Sequence, residues 1–279
     1  MTKQYSLAHL TVLKCPPPEM VHLAKRAGYD FISPRIIPLG TAGEPIYPVA
    51  QDKALMRETK AALAATGIKV HDIELARIID GLDVKSYLPA FEAAAELGAP
   101  CVLSSAWTAD RSFVIECYAA LCDLAKPFGL TVDFEFPSFS GVTNLRDALA
   151  VLRAADRENC GIMVDTLYMA YSRVGLEELD AIPRRWFHFA HLCDAPAEIP
   201  ATREGMIHVA RDARLYPGEG GIDIAAILNR IPEIPYSIEL PNDERVEELG
   251  YEEHARRCVQ AAKRYFARHP RAEEALLSV

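Results

Sequence analysis

The sequence predicts an α/β protein whose parallel strands close into a (β/α)8 barrel. Short runs rich in β-branched and aromatic residues alternate eight times with longer amphipathic stretches along the 279 residues. Four glycines, Gly28, Gly67, Gly98 and Gly129, each follow an amphipathic stretch and precede a strand, where a left-handed helix cap is expected. Repeated helix, glycine and strand units are typical of a parallel sheet.

The elements follow one another in strict alternation. The predicted strands are Tyr5–Leu13, Tyr29–Pro34, Lys69–Leu75, Pro100–Ser104, Leu130–Phe136, Gly161–Asp165, Trp186–Leu192 and Tyr236–Leu240. The predicted helices are Pro17–Ala27, Asp52–Thr66, Lys85–Leu97, Asp110–Lys126, Leu145–Arg157, Leu176–Ile182, Ile222–Arg230 and Arg245–Arg268. Prolines 16 to 18 favour the start of the first helix, because a proline there removes no helical hydrogen bond.

Strand and helix pairs of this kind can also form an open, doubly wound sheet. That sheet often binds nucleotides, yet no G-x-G-x-x-G follows the first strand and no G-x-x-x-x-G-K-[ST] occurs. Eight strands and a length near that of a barrel, roughly 250 residues, favour the closed form. Since no linker interrupts residues 5 to 268, we predict one domain over residues 1–269 and a C-terminal tail over residues 270–279.

Charge and composition argue against several classes of partner. Lys and Arg number 30 against 39 Asp and Glu, a formal net charge of −9, so we expect neither nucleic acid nor a membrane surface as partner. The longest stretch without a charged residue, Leu97 to Ala109, is shorter than the ~18 apolar residues of a membrane span. The seven cysteines include no C-x-x-C pair, and we expect reduced thiols in a cytoplasmic protein.

Polar residues occupy the carboxyl ends of the last four predicted strands: Glu135, Asp165, His191 and Glu239. In a barrel these ends share one face, where active sites lie. Three carboxylates and an imidazole brought together there need a compensating cation, because like charges repel strongly in a site of low dielectric. Taken alone, Asp165 is equally explained as a helix cap. Taken alone, His191 is better explained as a core histidine. The set of four predicts a divalent metal site.

The motifs that carry these residues resemble the xylose-isomerase-like TIM barrel family, over residues 5 to 268. The resemblance rests on VDFEF, MVDTLY, AHLCD, the run RLYPGEGGID and SIELP. It implies that Glu135, Asp165, His191 and Glu239 bind one divalent ion. In the epimerase branch, it also makes Glu135 and Glu239 the acid/base pair. The oxygen-rich ligand set favours Mn²⁺ or Mg²⁺, with Co²⁺ and Zn²⁺ as alternatives.

Several positions depart from the family's patterns. Tyr168 stands where members commonly carry a histidine, three residues after the aspartate of the sixth strand. Pro137 replaces a histidine of the dehydroshikimate dehydratases, and Gly141 replaces an acid of the ketose epimerases. The strands that in endonuclease IV supply further zinc-binding histidines end at Glu74 and Ser104. These differences disfavour the nuclease and leave the substrate branch open.

Six further residues are candidate substrate contacts: His9, Glu74, Trp107, Tyr168, His208 and Arg214. Glu74 is predicted at the end of the third strand, where it is equally explained as a helix cap. His9 and Trp107 are equally explained by packing.

Arg214 precedes a Pro-Gly-Glu-Gly turn that would let the backbone approach a ligand closely. We expect this arginine to bind an anionic or polyhydroxylated substrate, with a surface ion pair as the alternative. His208 and Arg211 are predicted to lie on the same long loop.

These residues predict an enzyme, a metal-dependent isomerase or epimerase of a keto sugar or keto-cyclitol. A metal would polarise the carbonyl, and Glu239 and Glu135 would act as base and acid in turn through an enediolate. Two alternatives are a metal-dependent dehydratase, acting on dehydroshikimate or inosose through the same enolate, and a barrel that binds a sugar without turnover. The expected partner is a small polyhydroxylated keto substrate, with a homo-oligomer as a further option.

Overall fold

A computed structural model describes residues 3–40 and 44–271 as a ring of parallel strands. The strands are β1 (Tyr5–Ala8), β2 (Phe31–Ser33), β3 (Lys69–Val70), β4 (Asp72–Ile78), β5 (Cys101–Ala106), β6 (Thr131–Glu135), β7 (Cys160–Ile162), β8 (Val164–Asp165), β9 (Ala190–Leu192) and β10 (Tyr236–Ile238). One sheet has the order β3-β2-β1-β10-β9-β8, and the other has the order β4-β5-β6-β7.

The chain itself joins these two sheets at both edges. A single residue, His71, separates β3 from β4, and another, Met163, separates β7 from β8. Each of these pairs therefore fills one strand position of an eight-membered ring. The first and last strands pair in parallel, with Tyr5 opposite Tyr236. The predicted (β/α)8 TIM barrel is confirmed.

Helices cover the outside of the ring. They are α1 (Pro17–Ala27), α2 (Lys53–Thr66), α3 (Leu88–Leu97), α4 (Arg111–Ala125), α5 (Leu145–Ala155), α6 (Thr166–Tyr171), α7 (Glu177–Asp180), α8 (Arg203–Asp212), α9 (Ile224–Leu228) and α10 (Asp243–Arg268). Short 3-10 segments occupy His9–Val12, Val84–Tyr87, Lys126–Phe128 and Arg184–Trp186. The backbone of Gly250 is not helical and kinks α10.

The first predicted strand is too long. β1 ends at Ala8, and His9–Val12 forms a 3-10 turn instead. The side chain of Thr11 explains this turn, because its Oγ1 donates to the carbonyl of Ile238 at 2.8 Å and accepts from Leu240 N at 2.9 Å. A polar side chain thus supplies hydrogen bonds that a continued strand would otherwise have made.

The predicted third strand is too short, since β4 continues to Ile78. Glu74 therefore lies within this strand and not at its end. The pairing of β4 with β5 shifts register between Ile73 and Ala76. This irregularity breaks the simple alternation of inward and outward side chains on which the prediction depended.

Two helices were not predicted. The loop that we expected to carry His208 and Arg211 is the helix α8, which begins after Thr202, whose side chain accepts from Gly205 N at 3.1 Å. Asp165 caps α6 by accepting from Leu167 N at 2.7 Å. Both helices lack the long apolar periodicity by which the others were predicted.

Apolar side chains fill the space between the strands and the helices, as in other barrels. A second buried cluster contains Leu75, Cys101, Leu103, Met163 and Phe189. Among the described residues, no helix has both the length and the apolar character to cross a bilayer. Most of the predicted C-terminal tail, residues 272–279, lies outside the described part of the chain.

Candidate metal centre

Four buried side chains meet where strands end on one face of the barrel. Glu135 and Asp165 are the last residues of β6 and β8, His191 lies in β9, and Glu239 directly follows β10. They are at most 5% exposed. The strand ends that the sequence predicted to share one face do so in the structure.

The four groups are close enough to bind one ion. One ligand atom from each residue lies within 4.8 Å of the others. His191 Nδ1 is 3.4 Å from Glu135 Oε1, 3.3 Å from Glu239 Oε2 and 3.9 Å from Asp165 Oδ2.

Several polar atoms of this cluster have no hydrogen-bond partner among the described residues. They are both ring nitrogens of His191 and Oε1 of Glu135, all buried. Of these atoms, Nδ1 of His191 and Oε1 of Glu135 lie 3.4 Å apart within the cluster. Buried polar atoms are almost always satisfied in native proteins, so two unsatisfied ones side by side indicate a ligand. Carboxylate oxygens and one imidazole suit a divalent cation. The residues present therefore fit a metal.

A buried arginine already pairs with two of the carboxylates. Arg214 is fully buried, and its Nη1 and Nη2 donate to Asp165 Oδ2 and Glu239 Oε2, each at 2.7 Å. Its Nε donates to the carbonyl of Ala210 at 2.8 Å, and Nη2 lies 3.4 Å from the hydroxyl of Tyr168. Instead of facing the cavity as a substrate contact, Arg214 supports the cluster from within the protein. Carboxylate charge packed this closely needs such a counter-charge.

Burial and neighbouring charges move the two glutamates in opposite directions. Burial raises the pKa of Glu135 to about 7, although the positive charge of the nearby His191 opposes this shift. Burial also disfavours the charged form of Glu239, but His191 and Arg214 outweigh it and hold the pKa of Glu239 below its ordinary value. The pKa of His191 is raised because the attraction of Glu239 and Glu135 outweighs burial.

A cavity of about 470 Å³ opens above the cluster. Glu135 and Glu239 line this cavity, together with the side chains of Trp107, Phe139 and Tyr168. The rings of Trp107 and Tyr168 lie 6.0 Å and 5.9 Å from that of Phe139. Two carboxylates beside an aromatic wall suit a small polar molecule with an apolar face. Of the six candidate contacts, Trp107 and Tyr168 line the cavity.

Glu74 lies beside the cluster but not on the cavity wall. Its Oε2 accepts from Arg35 Nη2 at 3.1 Å, and its Oε1 has no partner among the described residues. Burial raises the pKa of Glu74 to about 8, against the opposing charge of Arg35. Glu74 is fully buried.

His9 and His208 are not brought to the cavity. His9 is fully buried, with Nδ1 accepting from Arg35 N at 2.8 Å and Nε2 donating to the carbonyl of Cys15 at 2.9 Å. Both ring nitrogens are thereby used, and burial lowers the pKa of His9 to about 3. The packing alternative therefore accounts for His9. The side chain of His208 is 67% exposed on α8 and lies 3.3 Å from Asp212.

The prediction missed two arginines of the cavity wall, Arg35 and Arg77, and it gave no role to a third, Arg211. Arg35 directly follows the second predicted strand, so its place near a strand end was a usable signal. The position of Arg77 could not be predicted because β4 shifts register before it. The position of Arg211 could not be predicted because helix α8 was expected to be a loop.

Comparison with known proteins shows the family of this chain. The family model described as xylose isomerase-like TIM barrel matches residues 21–262. The chain belongs to this family. Among the relatives that match in sequence is the inosose isomerase of Bacillus licheniformis. It is 26% identical over 126 residues, which cover 44% of this chain and 43% of that protein. The inosose isomerase of Bacillus subtilis is 24% identical over 153 residues, 54% of this chain and 52% of that protein. The matched segments span about half the length of these relatives.

Solved structures share the fold over nearly the whole chain. The IOLI protein with a bound zinc atom has a TM-score of 0.78 at 17% identity, covering 95% of this chain and 99% of that one. The 3-keto-D-glucoside 4-epimerase YcjR of E. coli has a TM-score of 0.69 at 16% identity, covering 93% and 100%. At these identities the likeness shows the fold alone.

Proposed function

We propose that the protein is a divalent-metal-dependent isomerase or epimerase of a keto sugar or keto-cyclitol. The observation that carries this proposal is the convergence of Glu135, Asp165, His191 and Glu239 at the mouth of the barrel, beneath one cavity. Mn²⁺ and Mg²⁺ suit the oxygen-rich set best, and Co²⁺ and Zn²⁺ are the alternatives. The zinc atom in the related IOLI structure and the activities named for the relatives support this assignment.

The four residues divide into two pairs by their position relative to the cavity. Asp165 and His191 are 1% and 0% exposed and do not line it, so they would only hold the ion. Glu135 and Glu239 would bind the ion and also face the cavity, where they can reach a substrate. When bound, the ion would polarise the substrate carbonyl and so acidify the hydrogen on the adjacent carbon.

Proton transfer falls to the two glutamates. They belong to different sides of the cluster, since β7, β8 and β9 lie between β6 and β10 around the ring. For epimerisation, Glu239 would remove the proton and Glu135 would return one to the other face of the enediolate. For exchange between aldose and ketose, one glutamate would carry the proton on a single face. Arg214 fixes the orientation of Glu239 through the hydrogen bond at 2.7 Å.

Hydrogen exchange with the solvent tests this chemistry. Metal-loaded protein is incubated in D₂O with inosose or D-fructose, and the products are examined by NMR. We expect deuterium at the carbon next to the carbonyl, because a proton held on a carboxylate exchanges with water. Glu239→Gln should lower the rate by ~10² to 10⁴-fold, the usual contribution of a general base.

Glu248→Gln is the matched control, since Glu248 is exposed on α10 and does not line the cavity. Product that keeps its original hydrogen, formed equally fast by Glu239→Gln, would overturn the proposal. Loss of water from the substrate would identify the dehydratase alternative instead. Protein that binds no metal and turns over nothing would be the sugar-binding barrel.

A further inference from the structure

The cavity wall carries positive charge that the proposed reaction does not use. Three arginines line it: Arg35, Arg77 and Arg211. Arg35 is neutralised, because its Nη1 lies 2.9 Å from Glu44 and its Nη2 lies 3.1 Å from Glu74. Neither Arg77 nor Arg211 forms an ion pair with any residue that the structure describes. Two cations without a direct ion-pair partner among the described residues therefore face the same cavity as Glu135 and Glu239.

Arg77 is held in place by neutral groups. It is half-buried on β4, and its Nη2 donates to the carbonyl of Leu39. Its guanidinium lies 5.8 Å from the centre of the Trp107 ring, which is within range of a cation–π contact. Burial lowers the pKa of Arg77. The charges of Arg211 and Arg35 add to this shift, whereas Tyr87 and the carboxylate of Glu44 oppose it. The guanidinium groups of Arg77 and Arg211 thus repel each other, and a shared anion would relieve that repulsion.

The other carboxylates of the wall do not supply this anion. Asp212 lies 3.3 Å from His208. Asp243, in the first turn of α10, makes no hydrogen bond to either arginine. Glu135 and Glu239 already face His191, and Glu239 also pairs with Arg214. A guanidinium that is removed from water without a counter-charge is costly, so a counter-charge is expected in the working complex.

We propose that Arg77 and Arg211 bind an anionic group, a carboxylate or a phosphate, on the keto substrate. This inference rests on the proposed function and narrows its substrate class to keto acids or keto sugar phosphates. A guanidinium matches the geometry of both anions and forms two parallel hydrogen bonds with either. The anion would lie on the arginine side of the cavity while the carbonyl end of the substrate reaches Glu135 and Glu239.

Three probe ligands separate the effect of an anionic group on affinity from the effect of the sugar skeleton. D-fructose is neutral, D-fructuronate carries a carboxylate in place of the terminal hydroxymethyl group, and D-fructose 6-phosphate carries a phosphate there. Calorimetry with metal-loaded protein gives an affinity for each. We expect at least one charged probe to bind about tenfold or more tightly than D-fructose, since a hydrogen bond to a charged group is typically worth that much or more.

Arg77→Gln and Arg211→Gln should each bring the ratio of charged to neutral affinity towards one. Arg153→Gln is the control, because Arg153 is exposed on α5 and its loss changes the net charge equally. The ratio for this control should equal that of the wild type. The probe that shows the larger preference tells carboxylate from phosphate.

Three results would overturn the inference: equal or weaker binding of both charged probes, no binding of any probe, or a preference that survives in both arginine variants. The deuterium experiment keeps this failure separate from that of the proposed function. Exchange into a neutral substrate without an anion preference would leave the proposed function standing. An anion preference without any exchange would support the arginine pair and count against the proposed function.

Discussion

Nη2 of Arg214 donates a hydrogen bond of 2.7 Å to Oε2 of Glu239, and the whole arginine side chain is buried. A fixed positive charge therefore lies against one of the two carboxylates to which we assign proton transfer. Because Nη1 of the same guanidinium reaches Asp165 at 2.7 Å, the arginine also orients a proposed metal ligand. The cluster thus contains one positive charge from the protein, the guanidinium of Arg214, beside the site proposed for a metal ion.

Removing this internal cation should destabilise the fold. Arg214→Met leaves Asp165 and Glu239 without their buried partner, and breaking a buried ion pair typically costs about 3 to 5 kcal/mol. Urea denaturation measures the free energy of unfolding. Added Mn²⁺ should recover part of the loss, since it restores positive charge to the same carboxylates. Arg153→Met serves as the exposed control, and an Arg214→Met protein as stable as this control would contradict the prediction.

Metal binding should depend on the imidazole of the cluster. His191→Ala removes a ligand whose two ring nitrogens have no other partner among the described residues, so most bound metal should be lost. Elemental analysis after dialysis measures the metal content, and circular dichroism checks the fold. His208→Ala changes an exposed histidine of α8 and should keep the wild-type content. If His191→Ala kept its full metal content, the assignment of His191 and its three neighbours as the metal site would be wrong.

Acid should destabilise the protein through His9. Burial lowers its pKa to about 3 in the folded state, whereas an unfolded histidine titrates near 6.5. Between these values the unfolded chain binds one more proton, so the free energy of unfolding falls as the pH falls, by up to about 1.4 kcal/mol per pH unit. The effect is absent above pH ~7, where the imidazole of His9 is neutral in both the folded and the unfolded state.

His9→Gln should flatten this dependence, measured as urea denaturation between pH 7 and pH 4. His208→Gln, at an exposed position, provides the comparison. A pH slope that is the same in His9→Gln and in the wild type would show that His9 has the same pKa in the folded and the unfolded protein, and would contradict the prediction.

The turn after Arg214 should depend on a single carboxylate. Asp194 is buried and accepts from the backbone N–H groups of Ala195, Gly218, Gly220 and Ile222 at 2.8 to 3.1 Å. Asp194→Ala leaves these donors unsatisfied, and we expect a loss of about 3 kcal/mol in the free energy of unfolding. Thermal and urea denaturation check this, with the exposed Asp80→Ala as control. A variant as stable as that control would show that other groups hold the turn.

Much of the site was predictable because a barrel places strand ends by rule. Glu135, Asp165 and Glu239 are at or next to the last residues of β6, β8 and β10, so counting along each strand was enough to bring them together. The sequence also placed the four cap glycines correctly, with φ between 70° and 93°.

What could not be predicted depended on side chains that compete with regular structure. Thr11 ends the first strand through hydrogen bonds to a strand more than 200 residues away, which no local pattern reveals. The side chain of Arg214 could be placed near a turn, but its direction, into the protein instead of the cavity, depends on two carboxylates from distant strands. The single domain over residues 1–269, the cytoplasmic location and a homo-oligomer stay predictions.

The two sheets of the barrel meet at two seams, one between β3 and β4 and one between β7 and β8, and the four-residue cluster lies across the second seam. Glu135 ends a strand of the four-stranded sheet, whereas Asp165, His191 and Glu239 belong to the six-stranded sheet or directly follow its strand β10. Between β7 and β8 the ring is continued by the covalent chain through Met163. An ion bound by all four residues would connect the two sheets across this seam. Its removal would loosen the ring at that point, so amide protons on both sides of the seam would exchange faster in metal-free protein than in the loaded form.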